Sequence, residues 1–146
     1  MGEISIRKVG IIDAKLVDNL RDLVGKITLD EQSRSYITEM IDAIEIIAKK
    51  DTISNDRAEF LIKQASDDYP IIIRDLLDDG QIINLSAVLL IRRLTYAICV
   101  HSNLINYTDD VIVIRERSKS TRIIKSVIED LSLLAKGSDI RKTGSI

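Results

Sequence analysis

The sequence predicts an all-α protein: a single-domain helical bundle of six or seven helices around a buried central helix, about 84–104. Three observations predict it. Residues 84–104 are apolar on most helical faces, from Leu85 to Val100, the pattern of a helix enclosed by others. Flanking stretches repeat apolar residues at helical spacing, which marks helices with one buried face. The chain holds one proline in 146 residues and no Pro/Gly-rich linker. Its connectors are therefore short, and neighbouring helices run antiparallel.

Residues 3–10 alternate briefly at Ile4 and Ile6, as in a short edge strand or an extended arm, and Gly10 ends them. The first helix spans about 12–25, with Ile12, Leu16, Val17, Leu20, Leu23 and Val24 on one face. Thr28 to Glu31 reads as a capping box, opening a second helix over 29–50 with Ile37, Met40, Ile41, Ile44 and Ile47 buried. Ser54 is the N-cap expected for a third helix over 55–66. Pro70 suits the first position of a short helix over 70–78, and Asp79-Gly80 stops it.

Asn84 or Ser86 is expected to cap the central helix. Two adjacent arginines, Arg92 and Arg93, argue against a membrane span, since both would sit mid-bilayer. Asp109 and Asp110 open the next element, but Val111 to Arg115 have strong β propensity, so this segment reads as helix or strand. A break is expected at Ser118 to Ser120. The last helix then spans about 120–136, with Ile123, Ile124, Val127, Ile128, Leu131 and Leu134 in phase. Gly137 sits where a C-terminal left-handed residue belongs. The domain is thus read as 1–137, and 138–146 as a flexible tail.

The core must be aliphatic, because the chain has 27 isoleucines against one phenylalanine and no tryptophan. That bias, with abundant charge, resembles heat-adapted proteins. Cys99 is alone and lies between Ile98 and Val100, which predicts a buried thiol rather than a disulfide. No signal peptide is legible at the start, and the expected localisation is cytoplasmic.

Catalytic motifs are missing from the pattern. One His and one Cys cannot build a zinc site. In a helix, Cys99 and His101 point in separated directions, so they make no dyad. The pairs Asp67-Asp68, Asp78-Asp79 and Asp109-Asp110 suit helix starts and turns better than magnesium. The reading is a non-enzyme with no cofactor and no metal.

Charge is the best functional clue. Residues 1–80 carry 11 Lys/Arg and 17 Asp/Glu, whereas 111–146 carry eight Lys/Arg and four Asp/Glu. Arg115, Arg117, Lys119, Arg122 and Lys125 are the candidate sites for nucleic-acid phosphates or an acidic protein partner. A solvated helical face is the plainer explanation of the same residues. Arg92 and Arg93 are interface candidates, or pair with Glu39, Asp42 or Glu45 of the second helix. The expected function is a non-catalytic interaction subunit of a larger intracellular assembly, with a protein partner or a second copy. The alternative is a nucleic-acid-associated accessory subunit. No membrane partner or small-molecule cofactor is expected.

Overall fold

The computed structural model describes residues 2–8, 10–66, 82–105 and 109–143, except for the side chains of 65, 66, 82 and 138–143. Among them are five helices: α1 (Ala14–Lys26), α2 (Glu31–Lys49), α3 (Asn55–Ser66), α4 (Ile82–His101) and α5 (Asp110–Thr143). Two short strands, β1 (Glu3–Ser5) and β2 (Thr52–Ser54), pair antiparallel with Ile4 opposite Ile53. The protein is mostly helical, as its periodicity predicts. The expected count of six or seven helices is not met. The helix expected over 70–78 lies outside the described residues, and two others are one continuous helix.

Helix starts follow side-chain chemistry. Asp13 caps α1 by accepting from the Leu16 amide at 2.9 Å. Asp30, not Thr28, caps α2, accepting from the Ser33 amide at 2.7 Å. A carboxylate satisfies an orphan amide and also complements the helix dipole. Ser54 caps α3 as expected, accepting from the Arg57 amide at 3.3 Å. Arg34 of α2 donates to the Ile27 carbonyl at 2.8 Å, closing the end of α1.

The central helix is where the sequence placed it, shifted by two or three residues at its ends. It packs against α2, α3 and α5. Ala87, Ile91, Leu94, Ala97, Ile98 and Cys99 are fully enclosed. The expected cap Asn84 instead lies inside α4, buried, and accepts from the Asp30 amide at 2.9 Å. By length and composition Ile83–His101 also passes for a membrane span, the two arginines notwithstanding, yet 61% of it is buried inside the fold.

α4 ends in a Schellman motif. The Leu104 amide donates to Cys99 O at 2.9 Å and the Asn103 amide to Val100 O at 3.4 Å. Asn103 takes the left-handed conformation, φ 62°, which asparagine tolerates better than most residues.

α5 resolves one open reading and corrects two expectations. Residues 111–115 are helical: Asp109 accepts from the Val111 amide at 2.8 Å and the Ile112 amide at 3.2 Å, nucleating the helix despite its β-branched start. There is no break at 118–120. Ser120 is buried and in phase with Ile124, Val127, Leu131 and Ala135 on the inner face. The helix also runs through Gly137 to Thr143, where a stop and a flexible tail were expected.

Candidate functional site

The five basic residues of α5 do not share one face. Arg115, Lys119, Arg122 and Lys125 are exposed on the outer side. Arg117 turns inward and donates to Asn103 Oδ1 at 2.6 Å. The split follows from helical geometry, since Arg115 and Arg117 are two residues apart and so point in separated directions. Arg115 lies 3.9 Å from Glu116. Lys119, Arg122 and Lys125 have no ion pair among the described residues.

The same outer face carries exposed apolar side chains. Val111 is 74% exposed, Ile114 69% and Leu133 65%. Beside Leu133 an open groove of about 360 Å³ runs between α4 and α5, lined by Ser86, Leu89, Leu90, Asp130, Leu133 and Leu134.

Arg92 and Arg93 part company as adjacent helical residues must. Arg93 is exposed, whereas Arg92 is 3% exposed inside the bundle. Arg92 faces α2, where the phenol of Tyr36 is a neighbour. Burial pushes that phenol up, and the charge and hydrogen bond of Arg92 act against it. Asp42 and Glu45 are engaged elsewhere: both hold Arg21 of α1 at 2.8 Å.

A second polar constellation, which sequence reasoning missed, fills the corner between the end of α4 and the inner face of α5. His101 is 6% exposed, and its Nε2 lies 2.9 Å from Thr121 Oγ1. From the strand side, Arg7 Nη1 donates to His101 O at 3.0 Å, and the Arg7 amide donates to Ser102 O at 3.1 Å. Burial, with the charges of Arg7 and Arg117, holds His101 below the ordinary imidazole value. Those surroundings oppose the positive charge that the C-terminal end of a helix dipole would otherwise favour. The only signal in the sequence was a lone histidine at a helix end.

Cys99 is fully buried, and burial pushes its thiol up to about 12. That is an inert structural cysteine. No group of three or more His, Cys, Asp or Glu is placed to hold a metal ion among the described residues. Comparison with known families, curated proteins and solved structures finds no match to the chain.

Proposed function

We propose that the protein is a non-catalytic interaction subunit that docks an acidic protein surface through the outer face of α5. One observation carries the reading. The exposed large hydrophobics of the described residues, Val111, Ile114 and Leu133, all lie on this helix and flank the exposed cations Arg115, Lys119, Arg122 and Lys125. Isolated exposed apolar residues are ordinary. Apolar side chains flanking a basic stripe on one continuous helix match a partner with acidic and apolar patches. The net-acidic first 80 residues make a second copy one eligible partner. Arg93 adds an exposed cation on α4.

The test is sedimentation velocity and crosslinking capture with wild type and Val111→Ser/Ile114→Ser/Leu133→Ser. The reading expects a self-complex or a captured protein that the variant loses while its far-UV circular dichroism stays unchanged. It is contradicted if wild type is monomeric and both proteins capture the same set.

A second reading, a nucleic-acid-associated accessory subunit, has its own support. Arg115 to Arg122 span roughly 10 Å of one helix face, and Lys119, Arg122 and Lys125 lack acidic partners among the described residues. Phosphate binding weakens steeply with salt, whereas apolar docking does not. Fluorescence anisotropy with labelled DNA and RNA at roughly 50 and 200 mM salt separates the two. The matching variant is Arg115→Glu/Lys119→Glu/Arg122→Glu, since Arg117 points inward.

A further inference from the structure

We propose that the corner formed by Arg7, His101, Ser102, Arg117 and Ser120 is a binding site for a phosphate-class oxyanion. Four buried polar side-chain atoms of these residues have no hydrogen-bond partner among the described residues: His101 Nδ1, Ser102 Oγ, Arg117 Nε and Ser120 Oγ. Ser102 is 0% and Ser120 1% exposed. Buried polar atoms are nearly always paired, so four of them on residues at the end of α4 and the inner face of α5 call for a missing partner.

Charge identifies that partner as an anion. Two guanidinium groups enter the corner, and both are held by neutral oxygens: Arg7 by His101 O, and Arg117 by Asn103 Oδ1. The nearest acid in sequence, Glu116, has its carboxylate 3.9 Å from Arg115. Both charges that act on His101 are therefore cationic, and a cation is excluded. Arg117 Nε–H and the two serine hydroxyls are donors. They match the several acceptor oxygens of a tetrahedral oxyanion better than the two of a carboxylate.

The imidazole adds a linkage. The Thr121 hydroxyl has one proton, which it donates to Arg117 O at 3.1 Å. Thr121 Oγ1 must then accept from His101 Nε2–H, which leaves Nδ1 as a bare lone pair. An anion beside Nδ1 requires a proton between them. Binding the anion therefore takes up a proton at His101, and the anion binds more tightly as pH falls towards the imidazole range.

His101 is the only histidine in the chain, so one imidazole C2–H resonance in proton NMR reports the site. The titration is run on the full chain in chloride and in inorganic phosphate at matched ionic strength. A third arm adds a short thymidine oligonucleotide, whose phosphates are all diesters. The midpoint is expected to rise by about one unit or more in phosphate, saturably, and Arg117→Gln is expected to lose most of that rise. Should Arg117→Gln unfold, Arg7→Gln, altered at an exposed position, provides the same test. A rise with inorganic phosphate assigns a free phosphate ligand, and a rise with the oligonucleotide alone assigns a nucleic-acid phosphate. An unchanged midpoint in both arms, or a shift that grows without saturating and survives both variants, overturns the proposal. None of these outcomes depends on the outer face of α5.

Discussion

His101 Nε2 and Thr121 Oγ1 meet at 2.9 Å across the α4–α5 corner, and that contact orients the ring on which the corner depends. With the Thr121 proton on Arg117 O, Nε2 is the nitrogen that donates, and burial with cations on two sides favours the neutral ring.

A pH dependence follows with a definite sign. The folded value of His101 lies below its ordinary 6.5, so the unfolded chain binds the proton more readily. The resulting stability is fully present above pH 6.5 and is lost as pH falls through the folded value. In chloride buffer, the urea midpoint of wild type should drop between about pH 7 and pH 5. His101→Gln should flatten that interval. A wild-type midpoint constant across it would contradict the neutral assignment.

Two neighbours on α1 should behave very differently. Leu20 is fully buried, and Leu20→Ala should cost about 2–5 kcal/mol, the range for a leucine removed from a packed core. Arg21 bridges Asp42 and Glu45, but its side chain is 37% exposed. Solvent and salt screen such a bridge. Arg21→Ala should lose little stability, and high salt should erase the difference. Urea denaturation of both variants at low and high salt makes the comparison.

The thiol of Cys99 should report opening of the central helix. With its value raised to about 12, it is protonated at neutral pH as well as enclosed. A thiol reagent should label native protein slowly, and protein in denaturing guanidinium at once. Fast labelling of the native state would mean that α4 is not the enclosed helix described above.

Gly137 separates a continuing helix from a terminating one. It lies inside α5, and a Cβ built on it meets nothing within 4 Å. Gly137→Ala should therefore raise helicity and stabilise by about 0.5–1 kcal/mol. A helix ending there with a left-handed glycine would instead be destabilised. Circular dichroism at 222 nm during thermal melts reads the sign.

Several elements were legible before any coordinates, and each rests on local pattern. The faces of α1 and α2, the enclosure of α4 and the burial of Cys99 follow from apolar spacing within one segment, and the start of α3 from the capping preference of Ser54. The errors also have physical causes. Thr28 and Asp30 are both good caps, and Asp30 prevails with an amide partner at 2.7 Å and a second anchor in Asn84. The serines at 118–120 look like a break until Ser120 is seen to occupy a core position.

By itself, then, the sequence determined the helical class, the aliphatic core and the polarity of charge, because a period near 3.6 and a composition are properties of contiguous residues. The tertiary structure alone decided the pairing of Ile4 with Ile53, the approach of Arg92 to Tyr36, and the contact of Arg117 with Asn103. It alone also brought Arg7 to His101, 94 positions away. Such contacts depend on how whole elements pack, and no local period encodes which distant side chains will share a corner.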